Sequence, residues 1–313
     1  MNGSMVFPEK VVICEVGLRD GIQNEKKMLT VEEKIELLDS VVASGIKVIE
    51  IGSFVHPKAV PQMADTGEVA KRMKRVEGVE YRVLVPNLKG LQRAHDAGLT
   101  KAKLTVSVSE THCKRNFNMS PLEMMEGFKP CMEFAAQNGI EISGALSSAW
   151  GCAFEGKIPV SQLEKITRAF VALGITELSL SDATGMANPR AIFEVGGYLK
   201  KTFPQVDWVL HLHNTRGMAL ACATAALQVG IRTFDGAFAG LGGCNFIPDA
   251  TGNIATEDLV HMLHEMHVQT GVDLVKAMET GRLAERIVGH EADAYVLRAG
   301  RCEDLVAGMG NCE

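Results

Sequence analysis

Eight short apolar runs alternate along the chain with longer segments that have helical periodicity. The runs are rich in β-branched residues and lie at 11–17, 47–54, 81–86, 102–108, 140–147, 177–181, 208–213 and 233–239. Nearly continuous apolar runs of this length are typical of strands buried on both faces. Because strands that alternate with helices form parallel sheets, eight such units predict an α/β fold, a (β/α)₈ TIM barrel.

Capping residues and glycines mark the ends of the predicted helices. Thr30 followed by Glu33 is a capping-box signature, and Ser120 before Pro121 places proline at the first helical position. Besides the helix after Thr30, we expect helices at 121–137, 160–173, 189–203 and 218–229. Glycines that end a helix before the next strand stand at Gly45, Gly98, Gly139, Gly174 and Gly230.

The whole chain, 1–313, is interpreted as one TIM-barrel domain, because no linker-like stretch interrupts it. We expect the barrel at about 10–255, extra C-terminal helices at about 256–300 and a flexible tail at 301–313.

Composition restricts the partners that the chain is expected to bind. The 313 residues carry a net charge of −6 and show no basic stretch, so nucleic acid is not an expected partner. No apolar run is long enough to span a bilayer, and residues 1–10 lack a signal core, so we expect no membrane partner and a cytoplasmic location. Eight scattered cysteines without a Cys-x-x-Cys pair favour reduced, mostly buried thiols over a zinc cluster.

Polar side chains collect at the C-terminal ends of the predicted strands, where barrel enzymes place their active sites. Arg19 and Asp20 follow the first strand, beside Gln23. The later strand ends contribute Glu50, Ser53, Asn87, Ser107, Ser109, Ser147, Ser181, Asp182, Thr184, His211, His213, Asn214 and Asn253. So many ionisable groups at one face are costly without a ligand or metal. An ordinary surface ion pair is the alternative interpretation of Arg19 and Asp20.

His211 and His213 are the strongest local metal signal, since alternate residues of a strand point to the same face. Core or surface histidines also occur in this pattern. Asp20 offers a carboxylate oxygen and Asn253 an amide oxygen. Two nitrogens and two oxygens without a thiolate suit Mg²⁺ or Mn²⁺, and zinc is the less natural alternative.

The segment Gly-Leu-Gly-Gly-Cys at 240–244 contains too many glycines for the interior of a helix or strand. We interpret it as a mobile loop that resembles a lid over the barrel mouth. Cys244 at its tip is either a buried packing residue or a thiol that donates a proton.

Residues 15–25, Glu-Val-Gly-Leu-Arg-Asp-Gly-Ile-Gln-Asn-Glu, resemble the opening motif of the 3-hydroxy-3-methylglutaryl-CoA (HMG-CoA) lyase family. The similarity continues in order through 53–58, 60–63, 86–90, 151–157, 211–213, 240–244 and 250–260. It therefore spans nearly the whole chain and is more specific than any single motif.

The resemblance implies a divalent-metal-dependent TIM-barrel lyase that cleaves HMG-CoA to acetyl-CoA and acetoacetate. It implies an acyl-CoA substrate and a divalent metal, for which the donor set favours Mg²⁺ or Mn²⁺, held by Asp20, His211, His213 and Asn253. The catalytic candidates are Arg19, Asp20, Glu50, Asp182, His211 and Cys244, with Arg19 at the thioester carbonyl and Cys244 protonating the enolate. The candidate substrate contacts are Gln23, Lys26, Ser53, Asn87 and Arg216. We also expect a homodimer or a higher homo-oligomer.

Several positions depart from the family's usual pattern, namely Leu18, Asn214, Arg216, Met218, Asn245 and Phe246. A lyase for a different 3-hydroxy-dicarboxyl-CoA is therefore one alternative, and Arg216 either meets a substrate carboxylate or is a plain surface arginine. A condensing acyltransferase of the isopropylmalate or homocitrate synthase kind is a second alternative, and a non-catalytic binding protein a third. The loop with Cys244 favours a lyase, because that motif belongs to the lyase branch.

Overall fold

Eight parallel strands pair in chain order and close into a barrel between the first and the last. The computed structural model describes residues 5–243 and 251–309. The strands are β1 (Val12–Glu15), β2 (Val48–Ser53), β3 (Glu80–Val85), β4 (Lys101–Ser107), β5 (Glu141–Ser147), β6 (Glu177–Asp182), β7 (Asp207–Leu212) and β8 (Thr233–Gly236). At the closure, Val12 lies opposite Thr233. Every strand overlaps the apolar run that predicted it, so the TIM-barrel prediction is confirmed.

Helices cover the outside of this barrel. They are α1 (Val31–Ala43), α2 (Thr66–Arg72), α3 (Leu88–Asp96), α4 (Glu110–Phe117), α5 (Pro121–Gly127), α6 (Lys129–Asn138), α7 (Val160–Ala172), α8 (Pro189–Ala191), α9 (Gly197–Thr202), α10 (Ala219–Gln228), α11 (Thr256–Glu265), α12 (Leu274–Val288), α13 (Tyr295–Ala299) and α14 (Cys302–Met309). Extra helices follow the last strand as predicted, and α12 packs against α1, with Ser40 Oγ 2.7 Å from Thr280 Oγ1. Among the described residues, none of the helices has the length and apolar character needed to cross a membrane.

The predicted helix ends agree with the structure. Thr30 accepts a hydrogen bond from the amide of Glu33, whose carboxylate accepts from the amide of Thr30. Ser120 and Glu123 make the same reciprocal pair at the start of α5. The glycines predicted to end helices, Gly45, Gly98, Gly139, Gly174 and Gly230, have φ angles between 63° and 95°.

Two predicted helices are interrupted. The segment 121–137 forms α5 and α6, separated at Phe128, because Pro130 lacks the amide proton that a continuous helix would donate. The segment 189–203 contains a π-helical turn, Ile192–Gly196, between α8 and α9.

A charged cluster closes the amino-terminal end of the barrel. Arg82 of β3 is buried and pairs with Glu80 on its own strand and with Glu177 at the start of β6, at 2.6 Å. The opposite, carboxyl-terminal end carries the residues that the sequence singled out.

Candidate active site

Arg19 and Asp20 lie on a π-helical turn, Gly17–Gly21, that follows β1 directly. Their amide groups donate to the carbonyl of Val16, with N–O distances of 3.0 and 2.8 Å. Glu15, the last residue of β1, fixes the turn because its buried carboxyl accepts the first amide of the turn at 2.7 Å. The sequence predicted a loop here, and the turn is the tighter structure that holds both charged groups at the barrel mouth.

Asp20, His211 and His213 form a compact buried cluster at the carboxyl end of the barrel. Asp20 Oδ2 lies 3.2 Å from His213 Nε2 and 3.7 Å from His211 Nε2. The centres of the two imidazole rings are 5.2 Å apart. One nitrogen or oxygen atom from each residue lies within 4.8 Å of the others, which is a separation that a single metal ion can bridge.

The donor atoms of this cluster fit a divalent cation. His211 Nδ1 lies 3.2 Å from Asp235 Oδ2, and in the tautomer whose Nδ1–H donates to Asp235 the Nε2 lone pair is directed toward Asp20. Two electron-rich atoms that face each other in a buried site repel unless a cation or proton lies between them. Oxygen and imidazole ligands without a thiolate match Mg²⁺ or Mn²⁺.

Asn253 lies beside the cluster. Its Nδ2 is 2.9 Å from Asp20 Oδ2 and 3.0 Å from the carbonyl of Leu241, and residues 213 and 253 form an isolated bridge. The structure therefore brings all four predicted metal ligands together. Asn253 presents its amide nitrogen to Asp20, so ligation through its oxygen requires rotation of the side chain.

Arg19 is held between two carboxylates, Asp20 and the fully buried Glu50. Burial alone would raise the pKa of Asp20, but the charge of Arg19 and a hydrogen bond from His213 bring it well below its usual value. Burial opposes ionisation of Glu50 as well, and the charges of Arg19 and Lys103 lower its pKa below the usual value. Both acids are therefore carboxylates, and the guanidinium is charged.

Lys103 and Asp235 support the site and were missed from the sequence. Lys103 Nζ lies 2.7 Å from Glu50 Oε2 and 3.6 Å from Asp235 Oδ2, inside the barrel. Asp235 in turn holds Nδ1 of His211. The sequence feature that could have indicated them is a charged residue inside a mostly apolar strand, Lys103 in β4 and Asp235 in β8, rather than at a strand end.

A cavity of about 200 Å³ opens above the cluster. Asp20, Gln23 and His213 form part of its wall, and the end of β5 and the loops after β5, β6 and β8 add Ser147, Ser148, Ala153, Ala183, Thr184 and Gly243. His112 of α4 also lines it and was not predicted. A cavity at the carboxyl ends of the strands, next to a candidate metal-binding set, is where a substrate of a barrel enzyme binds.

Comparison with known proteins decides the family. A family model described as HMGL-like matches residues 10–284. The chain belongs to the HMGL-like family.

Members of this family with high similarity cover nearly all of the chain. It is 41% identical over 285 residues to the hydroxymethylglutaryl-CoA lyase of Bacillus subtilis, with 91% of this chain and 95% of the relative covered. It is 40% identical over 293 residues to the mitochondrial hydroxymethylglutaryl-CoA lyase of Gallus gallus, with 94% and 98% covered. These matches confirm the resemblance drawn from the sequence motifs.

A solved structure supports the same conclusion. The HMG-CoA lyase from Acinetobacter baumannii, in complex with coenzyme A and 3-methylmalate, superimposes with a TM-score of 0.91 at 37% identity. The alignment covers 96% of this chain and 98% of that one. The fold of the HMGL-like family is therefore kept over the whole barrel.

In this HMGL-like chain, Asp182 lies at the end of β6 with its carboxylate directed to its own loop. Its oxygens accept hydrogen bonds from the amides of Met186 and Ala187, at 3.0 and 2.8 Å, and from Thr184 Oγ1 at 3.1 Å. Burial raises the pKa of Asp182, and these hydrogen bonds limit the rise. Asp182 therefore holds Thr184, which lines the cavity, in position.

The predicted substrate contacts are distributed unevenly. Gln23 lines the cavity and its Nε2 donates to Asp20 Oδ1 at 3.2 Å. Arg216 is exposed, and its Nη1 donates to the carbonyls of Thr184 and Gly185 at 3.0 and 3.1 Å. Arg216 therefore holds the loop after β6, which contributes Ala183 and Thr184 to the cavity lining.

The remaining three contacts lie at different depths. Ser53 is buried at the end of β2. Asn87 is exposed, and its Oδ1 accepts the amide of Gly90 at 3.0 Å as the N-cap of α3, so it starts a helix. Lys26 is exposed after the π-helical turn. The loop cysteine, Cys244, and the nearby departures Asn245 and Phe246 lie outside the described residues.

Proposed function

We propose that this chain is a divalent-metal-dependent carbon–carbon lyase that cleaves HMG-CoA to acetyl-CoA and acetoacetate. The bond between C2 and C3 of the acyl group breaks. The hydroxyl on C3 loses its proton and becomes the ketone of acetoacetate, while C2 leaves as the enolate of the thioester and then takes up a proton. The family membership and the names of the relatives support this reaction.

The position of Arg19 is the observation that carries the proposal. Its guanidinium is fixed by Asp20 and Glu50, 12% of the side chain is exposed, and its partner Asp20 lines the cavity. A retro-aldol cleavage develops negative charge on the thioester oxygen. We assign Arg19 to that oxygen, because a preorganised cation stabilises developing charge without reorganising in the transition state.

Asp20, His211 and His213 would hold the metal, with Asn253 as the fourth proposed ligand. Mg²⁺ or Mn²⁺ supplies Lewis acidity when bound, which polarises substrate oxygens and lowers the pKa of the C3 hydroxyl. Asp235 fixes the ring of His211 from behind, and Lys103 holds Asp235 and Glu50 in place. We place the acceptor of the hydroxyl proton among the carboxylate and imidazole groups of this cluster.

Glu50 and Asp182 have positioning roles in this proposal. Glu50 holds Arg19, and Asp182 holds the loop that carries Thr184. We propose that Cys244 protonates the enolate from the loop after β8. The glycines before it support a loop that closes over bound substrate. Gln23, Lys26, Ser53 and Asn87 remain proposed substrate contacts, and Gln23 is the one that lines the cavity.

A substrate panel tests the reaction. HMG-CoA, 3-hydroxyglutaryl-CoA and 3-hydroxybutyryl-CoA are each incubated with the protein and Mg²⁺, and the release of acetyl-CoA and of the matching oxo product is quantified. Equal amounts of acetyl-CoA and acetoacetate from HMG-CoA are expected. Cleavage of 3-hydroxyglutaryl-CoA in preference to HMG-CoA would assign the chain to another 3-hydroxy-dicarboxyl-CoA. Condensation of acetyl-CoA with an oxo acid, without cleavage, would favour the acyltransferase alternative.

We further propose a cytoplasmic location and a homo-oligomer. The described cysteines are all free thiols, and five of the six, including Cys14 and Cys222, are buried, which favours a reducing compartment.

Analytical ultracentrifugation of the purified chain tests the proposed homo-oligomer. A sedimentation coefficient of the monomer at micromolar concentration would contradict it.

A further inference from the structure

A second group of metal-binding side chains lies on the outer surface, away from the barrel mouth. His261 and Glu265 are on α11, and Cys302 begins α14. One ligand atom from each lies within 4.8 Å of the others, and His261 Nε2 is 3.4 Å from Cys302 Sγ. This convergence joins two helices that are far apart in the sequence.

The spacing on α11 explains why two of the three side chains, His261 and Glu265, lie together. Residues four apart on a helix lie on the same face, so His261 and Glu265 point to one side. Cys302 meets them from α14. A nitrogen, a carboxylate oxygen and a sulfur around one point form a mixed set that includes a soft ligand, which Zn²⁺ accepts and Mg²⁺ does not.

The surroundings leave room for the ion and favour positive charge. A surface cavity of about 320 Å³ adjoins the group, lined by His261, Glu265, Asp273 and Glu303 among others. The nearby cation, Arg301, pairs with Glu303 and with Asp304, so acidic groups neutralise it. Three protein ligands and an open side are sufficient for a tetrahedral ion that completes its shell with water.

We propose that His261, Glu265 and Cys302 bind Zn²⁺ and fasten α14 to α11. On binding, the thiol of Cys302 releases its proton to solvent and a sulfur–zinc bond forms, with no change of oxidation state. The site is independent of the catalytic proposal, because it shares no residue with the cluster of Asp20, His211 and His213.

Alkylation of Cys302 measures the site in the intact protein. Iodoacetamide labelling is followed for the Cys302 peptide by mass spectrometry, with Zn²⁺, with Mg²⁺ or without metal. We expect Zn²⁺ to slow labelling about tenfold or more and Mg²⁺ to leave it unchanged, since only a thiolate bound to metal is withdrawn from reaction. An unchanged rate with Zn²⁺ would overturn the proposal.

Variants identify the other ligands. His261→Gln and Glu265→Gln should each remove most of the protection, whereas His267→Asn, on the exposed segment after α11, should keep it. Protection that persists in both ligand variants would contradict the three-residue site.

An optical test supplies a second readout. Co²⁺ is added to a His213→Ala variant, in which the barrel-mouth cluster is weakened. A thiolate-to-cobalt charge-transfer band with one equivalent of metal is expected, absent in Cys302→Ser and kept in the matched control Cys312→Ser. A band that survives in Cys302→Ser would assign the thiolate to another cysteine and refute the site.

Discussion

At the residue scale, Arg19 has a structural role in the site and, in the proposed reaction, a chemical one. It neutralises two buried carboxylates, Asp20 and Glu50, and the proposed reaction assigns it to the thioester oxygen, where charge develops during cleavage. Removing one partner of a buried ion pair leaves an unpaired charge, so loss of the guanidinium affects both stability and chemistry. The charge and its hydrogen-bond geometry must therefore be separated by experiment.

Arg19→Met and Arg19→Lys make that separation. Arg19→Met should lower kcat about a hundredfold or more, because a contact made in the transition state is lost. Arg19→Lys keeps the charge without the planar fork and should recover part of the rate and most of the stability. Steady-state kinetics and urea unfolding of both variants measure this. An increase confined to KM would show that Arg19 binds substrate without assisting the chemistry.

The sequence could predict the residues at strand ends and could not predict their supports. Arg19, Asp20 and His213 stand where parallel strands emerge, so the barrel alone brings them together. Lys103 and Asp235 lie within strands, and their contribution to the site depends on which side chains they contact across the barrel interior. That information is in the three-dimensional packing and in no short stretch of sequence.

At the scale of elements, two loop segments hold Asn253 against Asp20. The amide of Asn253 donates to the carbonyl of Leu241 at 3.3 Å, so the segment after β8 and the segment before α11 run side by side. Gly252 makes this approach possible. A Cβ there would overlap the carbonyl oxygen of Gly240 and lie 2.6 Å from the carbonyl carbon of Leu241.

Gly252→Ala should therefore force the two segments apart. We expect a loss of about 1–3 kcal/mol in the free energy of unfolding, as for overpacked buried sites, together with weaker Mn²⁺ binding at the cluster. Gly127→Ala is the matched control, since a Cβ at Gly127 meets nothing within 4 Å. Chemical denaturation and Mn²⁺ titration provide the two readouts. An unchanged free energy of unfolding and unchanged Mn²⁺ affinity for Gly252→Ala would show that the two segments accommodate the Cβ without destabilisation.

Elements were predictable where local signals dominate. The capping box of Thr30 and Glu33 and the glycines that end helices are local, and they agree with the structure. The sequence predicted one helix over 121–137, because the apolar periodicity runs through both α5 and α6. Pro130 was the local signal for the break at Phe128. The π-helical turn at Gly17–Gly21 was missed because its hydrogen bonds depend on Glu15 and on the loop after β8.

At the scale of the whole molecule, buried acids away from the metal cluster make stability depend on pH. Burial raises the pKa of Glu15 to about 7, and hydrogen bonds from Thr256, Gly17 and Phe238 limit that rise. Burial also raises the pKa of Glu257 well above its usual value. A raised pKa means that the folded state binds more protons than the unfolded one. The free energy of unfolding therefore falls as the pH rises from the ordinary pKa of the acid through its raised pKa in the folded state.

Glu15→Gln tests this dependence. The wild-type free energy of unfolding should decrease between about pH 5 and pH 8, with Glu15 contributing on the order of 3 kcal/mol. Gln resembles the protonated acid, so the variant should match the wild type near pH 5 and exceed it near pH 8. Urea unfolding across this range is the measurement, with Glu36→Gln on the exposed face of α1 as control. A wild-type slope that persists in Glu15→Gln would assign it to other groups.

The fold as a whole brings together groups that are distant in the sequence, and a divalent cation is the group that would join them at the barrel mouth. The measurement that tests this most directly is HMG-CoA cleavage by protein depleted of metal with a chelator, then titrated with Mg²⁺ or Mn²⁺. Cleavage should be lost on depletion and return with about one equivalent of bound metal, while His213→Ala binds metal weakly and stays inactive. Full activity after exhaustive chelation would contradict the account.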